Sequence, residues 1–352
     1  MIIHAIDVGS THIKYTGYEA SGAALHSTAL SFPPPCREEA PFFEVRIEEI
    51  MRAIRQLLRN CVAGDAILLS AQMHGYILMD ADDTPLTEYI SWRDRRAALL
   101  PENERFNFSL PPEAGVNKKD NLPLASLLYM KQKEQSIYRR ARTVCTLGSY
   151  IAHALCGVNA SHISDCAPSG LYNCLNGARR SVLSELAAPM AYLTMECIGY
   201  YGGAAVYTPV GDQQASVAGS GIAADEYLLN IGTAAQACTV SEAFVTGDFE
   251  SRPFFDGCVL CTVTGLIGGS AYQTLQQNDE ASVVALAENY GSALQRLPKR
   301  NRLRAIGGAF AYHRNLLKRV LDRIGIEWTI DEEGNATEGL YRLFCRRLER
   351  EL

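Results

Sequence analysis

Asp7-Val8-Gly9-Ser10-Thr11-His12-Ile13-Lys14 stands directly behind the apolar run Ile2-Ile3-His4-Ala5-Ile6. An acidic residue at the end of a buried strand, then a glycine and two hydroxyl residues in a tight turn, suits a phosphate bound together with Mg2+. Asp7 would face the metal, backbone N–H groups and hydroxyls the phosphate oxygens, and Lys14 would add charge for a terminal phosphoryl group. The same residue types also suit a plain hairpin connection. Much further on, Thr208-Pro209-Val210-Gly211-Asp212-Gln213-Gln214 is followed by Tyr227-Leu228-Leu229-Asn230-Ile231-Gly232-Thr233-Ala234. A short apolar strand again runs into a Gly-hydroxyl turn. Two similar phosphate-facing hairpins, one in each half, are a pattern of kinases and ATPases.

A second set of polar residues sits at the mouth of another apolar run. Ala66 to Ser70 reads as a buried strand that delivers Gln72, Met73 and His74, and Gly75 lets the backbone turn sharply after them. Polyol recognition needs short-range donors and acceptors beside an apolar wall for the carbon face, and Trp92 would supply that wall. Taken as bare sequence, His74 also reads as a satisfied loop histidine, Trp92 as a core aromatic and Arg93 to Arg96 as a solvated charge cluster. Gly211-Asp212 likewise reads as the start of a helix over Gln213 to Gly219, with Asp212 as its N-cap.

The elements that must position these residues follow from periodicity and punctuation. Ile2 to Ile6 and Ile13 to Tyr18 read as paired strands, Glu19 to Ala23 as a turn and Leu25 to Phe32 as a third strand, broken by Pro33-Pro34-Pro35. Apolar residues at Ile47, Ile50, Ile54, Leu57 and Leu58 give Phe43 to Asn60 the helical spacing. Leu124 to Lys133 and Ser149 to Cys156 read as further helices. Gly199 to Gly203, glycine-rich between two patterned regions, reads as the join between halves. Strands are expected through Val240 and from Cys258 to Val263, then helices from Ala271, from Arg314 to Ile324 and from Glu338 onward.

Taken together, these segments resemble the FGGY family of carbohydrate kinases, in the superfamily that also holds hexokinase and actin. The resemblance rests on Asp7 to Lys14, Ala71-Gln72-Met73-His74-Gly75, Trp92-Arg93-Asp94-Arg95-Arg96 and Gly211-Asp212-Gln213-Gln214, in that order. Gly232-Thr233 resembles the family's second phosphate turn, and Gly307-Gly308-Ala309 its late nucleotide glycines. It implies an α/β fold of two ribonuclease-H-like domains flanking a catalytic cleft, residues 1–202 carrying the sugar loop and first phosphate turn, residues 203–352 the catalytic Asp and the nucleotide site.

It also implies an ATP-dependent kinase acting on a ketose hydroxyl. Asp212 would be the catalytic base, since a sugar hydroxyl is a poor nucleophile until a carboxylate accepts its proton. Gln72, Met73, His74, Trp92, Asp94 and Gln213 would bind the sugar. Gly9, Ser10, Thr11, Lys14, Gly232, Thr233, Gly307, Gly308 and Ala309 would bind ATP, and Asp7 would hold Mg2+. Met73-His74 resembles the ketose-specific members; glycerol kinases have an Arg-Glu pair there. Gly211 to Val217, Leu155-Cys156-Gly157 with Ser164-Asp165, Arg252-Pro253-Phe254-Phe255 and Leu266-Ile267-Gly268-Gly269 resemble the sedoheptulokinase-like branch, which makes a seven-carbon ketose the first expectation and xylulose or ribulose the second. One departure stands out. No Gly-Glu-Arg occurs between Gly232 and Gly307, and Asn335 to Gly339 only loosely resembles the family's alanine-rich late motif, so the C-terminal domain reads as shortened. A degenerate member that binds sugar or nucleotide without turnover is the alternative.

Composition sets the remaining expectations. The chain has 352 residues, 47% of them hydrophobic, enough for two domains with ample cores. A net charge of −6 without a long basic run argues against a nucleic-acid partner. No apolar run has membrane-spanning length, and no secretory signal is expected at the N-terminus. Eleven scattered cysteines read as reduced thiols of a cytoplasmic protein. Cys258-Val259-Leu260-Cys261 lacks the second ligand pair that a structural zinc needs. The expected partners are a sugar and ATP, with a homodimer left open.

Overall fold

The computed structural model describes residues 1–232, 234–272, 280–331 and 335–351. The chain forms two compact units, Met1–Ala215 with Ala336–Leu352, and Ser216–Asn335. In the first, strand β1 (Ile2–Val8) turns back as β2 (His12–Glu19), and β2 turns again into β3 (Ala24–Ser31). Strand β4 (Ala66–Ala71) is buried at every position and lies parallel to β1, as strands covered on both faces do. Then come β5 (Cys197–Tyr201), β6 (Ala204–Tyr207) and the short β7 (Val210–Gly211). The sheet order is β5-β6-β4-β1-β2-β3, and β7 continues along β4 where β6 leaves off.

Alternation along the strands divides the two faces. Ile6, Val8, Ile13, Ile67 and Leu69 join one core with the helices Ile47–Leu57 and Leu147–Cys156. The helix Ile47–Leu57 forms because Ile47, Ile50, Met51 and Ile54 recur at helical spacing and are buried together; each such side chain contributes about 1.5–3 kcal/mol of burial. The opposite face, which carries Ala5, Asp7 and Thr16, is covered by the helix Ala336–Glu351. There Thr16 Oγ1 lies 3.1 Å from Thr337 Oγ1, and the Tyr18 and Tyr341 rings stack at 4.8 Å.

The second unit repeats the plan. Strand β8 (Glu226–Ile231) pairs antiparallel with β9 (Ala235–Ser241). Beyond β9 lie β11 (Val259–Leu266) and then β10 (Glu250–Pro253), both antiparallel to their neighbours. On the other side of β8 lie β12 (Arg302–Ile306) and β13 (Glu327–Ile330), both parallel. Three antiparallel strands followed by two parallel ones is the ribonuclease-H-like arrangement, present in both sheets. The helices Glu280–Arg296 and Phe310–Ile324 close the core of this unit with Leu229, Ile231 and Leu303.

The expected division at 202/203 does not match these units. Gly202 and Gly203, both at positive φ, make the tight turn of the β5–β6 hairpin, so the glycine cluster is a turn inside the first sheet and the chain crosses at 215/216 instead. The last helix also returns to the first unit, so the second domain does not extend to the C-terminus as expected.

Candidate active site

The parallel strands β1, β4 and β7 end at one edge of the first sheet, and each delivers a candidate residue there. Register places Lys14, Asp7, Ser70 and Val210 in one row, and Val8, Ala71 and Gly211 in the next. Asp7 is therefore the last residue of β1 on its face, Gln72 and Met73 follow β4, and Asp212 follows β7. In parallel sheets the carboxyl ends of the strands are where ligands are bound.

Asp7 is buried, and Ser70 Oγ donates to its Oδ1 at 2.8 Å. Burial raises its pKa, while Lys14 on the neighbouring strand and the Ser70 bond oppose the rise. A carboxylate removed from water beside a single lysine is the kind of group that a divalent cation stabilises, so Asp7 fits the metal role. Gly9 N–H donates to the His12 carbonyl at 3.1 Å, which closes the turn; Ser10, Thr11 and Lys14 are exposed around it.

Gln72 ties the loop 72–75 to this turn. Its N–H donates to the Val8 carbonyl at 3.0 Å, and its Nε2 lies 3.4 Å from the Gly9 carbonyl. His74 adopts φ +61°, in the left-handed region, and its side chain is half-buried. Gly75 admits no side chain, since a Cβ would lie 2.3 Å from the Tyr89 ring and hydroxyl. Gly211 is equally confined: a Cβ would lie 2.6 Å from Met73 Sδ and 2.5 Å from Gln214 Oε1. The loop 72–75 and the Gly211-Asp212 turn are thus in direct contact. Asp212 begins the helix Asp212–Gly219, and its Oδ1 accepts the Gln213 N–H at 2.8 Å. Tyr89, beneath the loop, has its hydroxyl pKa raised well above the ordinary value, by burial first and then by the Asp212 and Asp165 carboxylates.

Trp92 and Asp94 stand differently. Trp92 is half-buried, and its carbonyl accepts Asn121 Nδ2 at 3.0 Å. Asp94 has both oxygens occupied by the protein: Oδ1 accepts the Arg96 N–H and Nε at 2.9 Å, and Oδ2 accepts the Phe43 N–H at 2.8 Å and Arg96 Nη2 at 2.9 Å. Arg96 Nη2 also meets Glu44 Oε1 at 2.6 Å. Asp94 and Arg96, which read as surface charge or sugar ligand, form a buried fork that pins the Trp92 segment to the chain at Phe43.

The nucleotide candidates gather in the second unit. Gly307, at φ +117°, packs so closely that a Cβ would lie 2.4 Å from the Ile231 carbonyl oxygen. Ala309 N–H donates to that carbonyl at 3.1 Å, and Gly269 N–H donates to the Gly232 carbonyl at 2.8 Å. Gly232, Gly307, Gly308 and Ala309 are thereby brought together at the carboxyl ends of β8 and β12, and Gly269, read from sequence only for its resemblance to the seven-carbon branch, joins them. Thr233 lies outside the described residues.

Two further clusters accompany the site. Behind Gly211, the Thr146 and Ser161 hydroxyls both donate to Asp165 Oδ2, the latter at 2.7 Å, while Asp165 Oδ1 meets no hydrogen-bond partner among the described residues. Burial outweighs those bonds and raises this carboxyl to about 6. Folding then favours its protonated form, so the stability it contributes is full below the ordinary aspartate value of 3.8 and is lost as pH rises through about 6. Asp165→Asn, neutral throughout, is expected to flatten that slope in urea unfolding measured across the interval; an unchanged slope would assign it to other groups. At the opposite end of the sheet, His4, Cys61 and Asp65 meet. His4 Nε2 donates to Asp65 Oδ2 at 3.1 Å, Ile2 N–H donates to Oδ1 at 2.8 Å, and burial with Asp65 lifts the Cys61 thiol to about 11. This cluster anchors the first strand and keeps its thiol protonated.

The duplicated sheets and the strand-end carboxylates define a protein of the actin and hexokinase superfamily. Residues 2–193 match the N-terminal domain of the FGGY family of carbohydrate kinases, and the chain belongs to that family. It is similar to xylulose kinase of Staphylococcus xylosus, 24% identical over 178 residues, 48% of this chain and 36% of that protein. L-xylulose/3-keto-L-gulonate kinase of Escherichia coli K12 is 29% identical over 180 residues, again 48% and 36%. The matched region thus spans about a third of these curated relatives. Among solved structures, a ligand-bound xylulose kinase from Lactobacillus acidophilus superposes with a TM-score of 0.86 at 18% identity, covering 99% of this chain and 89% of that one. Plasmodium falciparum glycerol kinase with ADP superposes at 0.80 and 15% identity, covering 99% and 90%. At these identities the likeness shows the fold. No helix among the described residues is long and apolar enough to cross a membrane.

Proposed function

We propose that the protein transfers the terminal phosphoryl group of ATP to a hydroxyl of a ketose. One observation carries this reading: Asp7, the Gln72-Met73-His74 loop and Asp212 leave three adjacent parallel strands at one edge, with Met73 Sδ packed against Gly211. Asp212, oriented by the Gln213 amide, accepts the proton of the attacking hydroxyl. Gln72, His74 and Gln213 orient the sugar hydroxyls, and Trp92 offers an apolar wall. Asp94 works at one remove, holding the Trp92 segment through Arg96. Asp7 would hold Mg2+, which when bound would supply charge neutralisation for the phosphates. Ser10, Thr11 and Lys14 are the proposed phosphate ligands of the first unit. In the second unit Gly232, Gly269, Gly307, Gly308 and Ala309 form the turns proposed to take the nucleotide, kept close together by the hydrogen bonds Gly269 N–H to the Gly232 carbonyl and Ala309 N–H to the Ile231 carbonyl.

The names of the relatives favour a five-carbon ketose of the xylulose type over the seven-carbon sugar suggested by short segments. ATP-dependent product formation, measured over pentuloses, heptuloses and glycerol, tests the reading. Xylulose or ribulose is expected to be phosphorylated and to raise the melting temperature, with glycerol doing neither, because a ligand bound only by the native state stabilises it. Binding without product from any ketose would leave the degenerate reading in its place, and equal shifts with glycerol would remove the ketose preference.

A further inference from the structure

We propose that Ser164 and His162 are positioning residues that fix the backbone immediately before Asp212; the catalytic consequence rests on the function proposed above, whereas the structural part stands alone. The strand β7 is only two residues long and borders β4 on one side. On its other side lies the segment 161–165. His162 N–H donates to the Pro209 carbonyl at 2.8 Å, and Gly211 N–H donates to Ser164 Oγ at 3.1 Å. The amide that precedes the catalytic carboxylate is therefore held by a side chain, where a sheet would ordinarily supply a carbonyl.

That side chain is itself held in one proton arrangement. His162 is buried, and its Nε2 lies 3.0 Å from the Leu193 carbonyl, an acceptor only, so Nε2 carries the proton. Nδ1 is then the acceptor. It receives the Ser164 hydroxyl at 2.8 Å and the Ser164 N–H at 3.2 Å. With its proton committed to His162, the Ser164 oxygen presents lone pairs to Gly211 N–H. The order Leu193 carbonyl, His162, Ser164, Gly211 leaves no freedom in the direction of any of these bonds.

The space around the turn is closed as well. A Cβ on Gly211 would lie 3.0 Å from the Ser164 carbonyl oxygen, and one on Gly148 would lie 2.9 Å from Pro209 Cβ and 3.0 Å from Asp165 Oδ2. The helix Leu147–Cys156, capped by Thr146, therefore bears on Pro209 and Asp165 from behind. Removing the Ser164 hydroxyl would orphan a buried amide and release Gly211 on the side away from β4, and misplacing a reacting group by about 1 Å costs on the order of a hundredfold in rate.

The experiment uses the full chain with Ser164→Ala, and Ser164→Thr as the variant that restores the hydroxyl. Hydrogen exchange of the Gly211 amide is read first, because it needs no substrate. It is expected to quicken by about tenfold or more in Ser164→Ala and to return toward wild type in Ser164→Thr. Ketose turnover is read second. The expected result is a kcat lower by about 10- to 100-fold with KM close to wild type. Should Ser164→Ala not fold, His162→Ala, which deprives the hydroxyl of its acceptor, is expected to show the same exchange change to a smaller degree. Unchanged Gly211 exchange in the folded variant, or an exchange change with kcat unaffected in an active enzyme, would overturn the proposal. A wild-type protein inactive on every ketose would instead fail the functional reading and leave the exchange result to decide the structural one.

Discussion

Asp212→Asn is expected to lower turnover by about 10²- to 10⁴-fold while ketose affinity and melting temperature stay near wild type. The substitution keeps the size of the side chain and an oxygen for the Gln213 amide, which Asp212 Oδ1 accepts at 2.8 Å, but it removes the group that takes a proton. A purely structural role predicts something else. Asn serves the start of a helix nearly as well as Asp, so a residue that only begins the helix Asp212–Gly219 would tolerate the change in rate as well as in stability. Steady-state kinetics, isothermal titration with the ketose and a thermal melt on this one variant separate the two, and a near-normal rate in an active enzyme removes Asp212 from the mechanism.

The second large effect is expected at Asp7. Asp7→Asn should lower Mg-dependent turnover by about a hundredfold or more, the loss of several kcal/mol of charge stabilisation, with sugar binding largely intact. The sign of the stability change is opposite to that of activity. Burial raises the Asp7 pKa, so the folded state disfavours the ionised form, and its stabilising contribution is lost as pH rises past the ordinary value toward the folded one. At neutral pH the neutral Asn still accepts the Ser70 hydroxyl and avoids the desolvation of a carboxylate. The melting temperature should hold or rise. A variant with normal metal dependence and collapsed sugar affinity would contradict the assignment.

β1 and β4 were legible because their burial is written in near-continuous apolar runs, and β2 and β3 from the turn residues between them; all four lie within two residues of their expected ends. The helices Pro123–Lys133 and Leu147–Cys156 were equally plain. What misled was glycine, which marks a linker and a hairpin turn alike. Gly202 and Gly203 serve the turn, and local composition has no term for the pairing of β6 with β4 that settles the matter. Asp94 shows the same limit for charge. Its partners Arg96 and Phe43 are a near neighbour and a distant one, and only the fold shows that both its oxygens are spent. Ser70 and His162 carried no motif, and Ser164 and Gly269 stood only in segments read for substrate preference; each matters through a hydrogen bond that the sequence does not display.

The return of the helix Ala336–Glu351 to the first unit has a consequence for the order in which the protein is built. Residues 216–335 are contiguous, so the second unit holds everything its sheet requires once that stretch has left the ribosome. The first unit is discontinuous. Its face bearing Ala5, Asp7 and Thr16 waits for Thr337, Tyr341 and Phe344, which follow the whole of the second unit in the chain. The half of the chain that is translated first is thus the half that is finished last, and the proposed base and metal ligand reach their final setting only after the glycine turns of the second unit have been laid down.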